Sequence, residues 1–228
     1  MKKAVFLITI IVLLTGCAGG TLGGLFPAPK ILDGSLDDLR YTSPDKSFAV
    51  TAPVTTARSE WLYTEVKEKF QDSEDQKSQF VGFKPPYNSH FYSVEVVSFK
   101  GSKQLEKNSA ELIAQNNISR ITNGTNKRWG TEVVELAKSK LVCPNGNFTY
   151  TVLKQDINNE SLKFYKYLVI SQGYEGNKFA LITSELNYEQ DVEGSFIDEF
   201  TKRLVDLGYS KHNDFVCSVS LNPNESGS

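Results

Sequence analysis

Two histidines, three cysteines and several neighbouring carboxylates are the side chains of this 228-residue chain best suited to chemistry. His90 and His212 stand far apart, and neither lies in a spacing such as H-E-x-x-H, where two imidazoles share one helix face and one metal. Both are expected as solvated loop or strand-edge residues. Glu132 with Glu135, and Asp198 with Glu199, have the residue types for proton transfer, which needs an acid and a base held at one reacting atom. Carboxylates on element surfaces are more often solvent contacts. The run Asp72-Ser73-Glu74-Asp75 lacks the glycine and terminal glutamate of a calcium loop. The chain has no G-x-S-x-G for a nucleophilic serine and no G-x-x-x-x-G-K for phosphates. No catalytic residue, no metal and no cofactor is expected.

Two stretches are better suited to contact than to catalysis. Lys84-Pro85-Pro86-Tyr87-Asn88-Ser89-His90-Phe91-Tyr92 puts aromatic rings and an imidazole at a strand-connecting tip, with Tyr87, His90 and Tyr92 as candidates. Exposed aromatics anchor partners at low entropic cost. The competing reading makes Phe91 and Tyr92 core residues and leaves Tyr87 alone outside. Lys127-Arg128-Trp129, beside a glycine-containing turn, is the second candidate, suited to lipid headgroups, peptidoglycan acids or a protein.

The opening MKKAVFLITIIVLLTGCAGG says where such contacts would occur. Lys2 and Lys3 precede an apolar run, Ala4 to Thr15, too short for a bilayer core that needs ~20 helical residues. A short apolar run after basic residues and before small ones reads as an export signal. Leu14-Thr15-Gly16-Cys17 then resembles the lipobox of bacterial lipoproteins. The resemblance implies removal of residues 1–16, thioether lipidation of Cys17 and acylation of its new amino group. Stable anchoring takes more than one acyl chain, and the family pattern supplies three. Ala18 rather than aspartate after the cysteine implies the outer membrane, with the domain expected to face the periplasm.

Loss of residues 1–16 removes two of 25 basic residues and none of 27 acidic ones, leaving a formal charge of −4. That balance gives no electrostatic reason to bind nucleic acid. Export would put Cys143 and Cys217 in an oxidising compartment, where thiols pair. A Cys143–Cys217 disulfide is therefore expected, against two buried free thiols or a redox pair; no C-x-x-C spacing supports the last. A tether is expected over residues 17–40, where Gly19, Gly20, Gly23, Gly24, Pro27 and Pro29 oppose regular structure. Its flexible part would span roughly 20–25 Å.

These residues must be positioned by one domain over 41–221, with 222–228 a frayed tail. Ser47 to Ala52 alternates and ends at Pro53, which reads as a strand. Residues 58–78 are ambiguous: Trp61, Leu62, Val66 and Phe70 suit a helical turn, while 71–76 reads as an exposed loop. Gln79–Lys84 and Phe91–Phe99 predict a strand pair, with Tyr92, Val94 and Val96 on one face of the second. Leu105–Ile121 predicts a helix stopped by Asn123-Gly124. Residues 131–142 suit either period, and pairing with the strand at Phe148–Lys154 favours strand for the second half. Leu162–Ser171 and Lys178–Leu186 predict a hairpin. Asp191–Leu207 predicts a helix with the stripe Phe196, Ile197, Phe200, Leu204 and Val205, ended by Gly208. Phe215–Leu221 predicts a last strand. The result is an α+β fold, a central antiparallel sheet with two main helices packed on it.

Tyr41-Thr42-Ser43-Pro44-Asp45-Lys46-Ser47-Phe48-Ala49-Val50-Thr51-Ala52-Pro53 resembles the opening of PsbP-like and DcrB-like domains, and Ser195 to Phe200 resembles their closing helix. The tryptophan usual soon after that proline stands later here, at Trp61. Over residues 41–207 this resemblance implies a non-enzymatic binding or assembly module and carries over no catalytic residue. Two rivals make different demands: a carboxylate hydrolase of cell-wall or lipid material needs a deep acidic pocket, and a small-ligand receptor needs an apolar cavity between sheet and helix.

Overall fold

The computed structural model describes residues 30–54, 58–86, 90–129, 131–158, 163–189 and 199–222. A compact unit begins at Leu32. It begins with three short strands, β1 (Ser35–Asp37), β2 (Arg40–Thr42) and β3 (Ala49–Thr51), and a short helix α1 (Arg58–Tyr63). Strands β4 (Glu65–Asp72), β5 (Gln76–Lys84) and β6 (Phe91–Phe99) make an antiparallel meander. Helix α2 (Lys107–Trp129) then carries the chain across the sheet. Strands β7 (Val133–Cys143), β8 (Gly146–Asn158), β9 (Lys163–Glu175) and β10 (Lys178–Tyr188) return as a second meander, and α3 (Glu199–Ser218) closes the order. The large sheet reads β4-β5-β6-β10-β9-β8-β7, and β1-β2-β3 form a small one. Among the described residues, no helix is long and apolar enough to cross a membrane.

Strand alternation sorts the core into two faces. Tyr92, Val94 and Val96 share one face with Phe83, Val169 and Ile182, in a cluster completed by Phe215 and Val216 of α3 and by Tyr41, Phe48 and Val50 of the small sheet. Leu153, Leu168, Ile170 and Phe179 occupy the other face, against Ala110, Ile113 and Ile118 of α2. Each fully buried large aliphatic or aromatic side chain contributes about 1.5–3 kcal/mol. The expected α+β sheet with two main helices is therefore present, and α1 is a third, short one. Residues 131–142 resolve as strand almost throughout. The turn after Cys143 puts Gly146 at φ 144°, and that between β9 and β10 puts Gly176 at φ 56°, backbone geometry that favours glycine.

Several expectations need correction. Ordered structure starts before Tyr41, inside the stretch expected as tether, because one carboxylate gathers it. Glu68 accepts the Asp33 and Gly34 amides at 2.9 and 3.1 Å and the Tyr41 hydroxyl at 2.6 Å. Residues 58–78 split into α1 and β4; Val66, Glu68 and Phe70 alternate inward. The expected loop at 71–76 is only a tight turn, in which Ser73 donates through its amide and its hydroxyl to the Gln76 carbonyl.

Helix α2 runs past Asn123-Gly124 to Trp129. An exposed helical glycine costs about 1 kcal/mol relative to alanine, less than the packing of the helix's apolar side returns. Helix α3 likewise runs through Gly208. A Cβ there would lie 2.5 Å from the Tyr188 hydroxyl, so this glycine permits close packing and does not end the helix. Phe215 and Val216, expected on a last strand, lie on the final turns of α3, and strand-like pairing survives only as the Ala49–Ser220 bridge. Asn222 is held by the Lys178 ammonium at 2.7 Å. Phe196 and Ile197 of the expected stripe, and the tail at 223–228, lie outside the described residues, as do the side chains of Phe200, Leu204 and Val205.

Candidate functional site

Of the three candidates at the strand-connecting tip, Tyr92 follows the competing core reading. Tyr92 points into the core, fully buried, so it is unavailable to a partner. Burial, and then the charge of Glu60, raise its phenol pKa. His90 is half-buried against the Tyr188 ring, 5.3 Å between centroids, and its Nδ1 accepts the Asn187 amide at 3.3 Å. Burial and then the charge of Lys211 push its pKa down to about 4. Tyr87 lies outside the described residues. Lys127, Arg128 and Trp129 belong to the last turn of α2 and not to a turn after it, and their side chains lie outside the described ones. The leader and Cys17 also lie outside.

Cys143 and Cys217 are joined in a disulfide, with 5.1 Å between their Cα atoms. It ties the end of edge strand β7 to the last turns of α3. Among the described residues, no three His, Cys, Asp or Glu side chains gather as a metal site.

His212 is the residue that the sequence reading placed wrongly. It is fully buried, with Ser171 Oγ 2.9 Å from Nε2 and Ser184 Oγ 2.6 Å from Nδ1. Burial lowers its pKa to about 3. A neutral ring donates to one serine and accepts from the other. Serine and histidine at these distances have the types of a nucleophile pair, but the ring has no exposed surface through which a substrate would arrive. The trio fastens α3 to the two central strands. The signal was in the sequence: His212, Phe215, Val216 and Val219 fall at i, i+3, i+4 and i+7, one helical face.

An open groove lies on the opposite side of the sheet from His212. It runs as a trough between α2 and strands β7 to β10. Ala110, Ala114 and Ile118 form the helix wall, Tyr174 and Phe179 close one end, and Thr149 and Thr151 lie along the floor. The two contiguous sections enclose about 320 and 400 Å³. Behind this floor, on the α3 face, a Cβ at Gly173 would stand 2.6 Å from the Phe148 ring, so glycine lets that ring lie across the strand. Small alanines on α2 keep the trough open.

Polar atoms in the floor are already engaged. Gln172 donates to the Ala114 carbonyl at 3.3 Å and accepts from Asn117 at 3.4 Å, and the Thr149 hydroxyl donates to the Gln172 carbonyl at 3.3 Å. The surface left for an occupant is mainly methyl groups and ring edges. Charges stand on the rim: Lys138, Lys140 and Glu135 on β7, and Glu111 on α2. Of these residues the sequence singles out only Glu135, as an acid–base candidate with Glu132, because the rest come together only through the pairing of β7 with β8 and the passage of α2 over them. The chain matches no protein-family model and no curated protein.

Proposed function

We propose that this chain is a lipid-anchored lipoprotein of the bacterial envelope, held on the outer membrane and facing the periplasm. Its domain is a non-enzymatic binding or assembly module of PsbP-like character that works by contact with another envelope component, a protein or peptidoglycan. The observation that carries this reading is the order of Lys2-Lys3, a short apolar run and Leu14-Thr15-Gly16-Cys17. The Cys143–Cys217 disulfide supports it, because such bonds persist in exported proteins and are rare in reducing compartments. The trough beside α2 supports binding over hydrolysis: its surface is largely apolar and its acids sit on an open rim, not in a deep pocket.

Metabolic labelling with a clickable palmitate, followed by density fractionation of membranes, tests the proposal. The wild type incorporates label and sediments with the outer membrane, and Cys17→Ala abolishes labelling. An unlabelled chain that keeps its leader and stays in the soluble cell interior would overturn it.

A further inference from the structure

We infer that the trough between α2 and strands β7–β10 binds the hydrocarbon chain of a single-chain amphiphile, with its anionic head at Lys140. This deepens the proposed binding role and rests on that reading for where the ligand is met.

The chemistry of the walls sets the class. Ligand sites typically enclose ~300–1,000 Å³, a range that each section of the trough enters. Gln172 and Thr149 spend hydrogen bonds within the protein, so the middle of the floor offers a polar occupant few partners, and Gln115, Ser119 and Asn147 are the further neutral polar residues of the lining. Burying unpaired polar groups is costly, whereas a hydrocarbon chain loses nothing there and covers the exposed methyl and ring carbons. The trough is elongated. From Ala110 to Ile118 the helix wall extends about 12 Å at a rise of ~1.5 Å per residue, a length suited to a medium acyl chain and not to a compact solute.

Charge gives the orientation. At the Phe179 end the trough holds Glu111 and Lys140. Glu111 faces Lys107 of its own helix at 3.8 Å, while the Lys140 ammonium has no ion pair or hydrogen bond among the described residues. A carboxylate or phosphate there meets an unpaired cation. At the Ile118 end Lys138 and Glu135 oppose each other on one strand, so that end favours neither sign. The head therefore belongs at Lys140 and the tail runs toward Ile118.

Photo-crosslinking of the purified full chain with a diazirine-bearing medium-chain fatty acid tests this, with adducts mapped by peptide mass spectrometry. Saturable adducts are expected on peptides containing Ala110–Ile118 and Asn147–Thr151. Ala114→Phe fills the trough and should weaken labelling by about tenfold or more. Lys140→Glu, at an exposed position, should weaken labelling by the acid and by an alkyl phosphate but not by the methyl ester. Melting curves confirm that each variant is folded. Adducts confined to other surfaces, absence of saturation, or labelling indifferent to Ala114→Phe would overturn the inference. Palmitate incorporation at Cys17 is read separately. Loss of that label with trough labelling intact removes the anchor alone, and the reverse removes the ligand alone.

Discussion

Acidification should strain this protein at His212 before it disturbs most of the surface. The ring is sealed between Ser171 and Ser184, with the Tyr150 ring 5.8 Å away, and it stays neutral down to about pH 3. In the unfolded chain the same ring takes a proton at its ordinary value of 6.5. A base whose folded pKa is depressed leaves stability intact above the unfolded value and loses it as the pH falls below. The loss is about 1.4 kcal/mol per pH unit between 6.5 and 3, so roughly 2 kcal/mol has gone by pH 5. His90, depressed to about 4, acts in the same direction. Carboxylates titrate too, so the ring is isolated by difference. His212→Asn loses part of the serine network and should be less stable at pH 7.5 by about 1–3 kcal/mol. Because it lacks the protonation penalty, that deficit should shrink by roughly 2 kcal/mol at pH 5. Urea unfolding of both proteins across this range, with the disulfide intact, measures it. A deficit that stays constant, or widens toward acid, would refute the assignment of a sealed neutral imidazole.

Two further outcomes follow from single contacts. Glu68→Gln removes the charge that gathers the Asp33 and Gly34 amides and the Tyr41 hydroxyl, and should cost about 1.5–3 kcal/mol. It should also speed hydrogen exchange at Leu36 and Tyr41, measured by mass spectrometry, ahead of exchange in β6. Reducing Cys143–Cys217 releases a constraint across 74 positions and should cost up to about 4.5 kcal/mol, read as a lower melting temperature with two newly alkylatable thiols.

What could be read in advance had local causes. Alternation at Phe91–Phe99 and at Phe148–Lys154 reports one residue at a time which side is buried, and the structure places Tyr92, Val94 and Val96 inside accordingly. The turns at Cys143–Gly146 and Glu175–Lys178 carry glycines with positive φ and were visible for that reason. The helix ends were not local. Gly124 and Gly208 look like stops, but both helices continue, α3 because His212, Phe215 and Val216 beyond Gly208 are buried against the sheet. The β1–β2 hairpin depends on Glu68, more than twenty positions away in sequence, and nothing near Leu36 announces it. His212 was legible on a helical face, yet the preceding Gly208 had been read as the helix terminus. The trough could not be found from sequence, since its walls belong to five elements joined only by folding.

The seam between β6 and β10 lies in the middle of the large sheet and joins its two meanders. Val94 meets Ile182 across it, and the whole of α2 and β7–β9 separates them along the chain. A nascent molecule therefore carries a sticky, half-finished border along Val94 and Val96 until nearly the entire polypeptide has been made. Chaperoning, if this protein needs any, is needed at that border, and late.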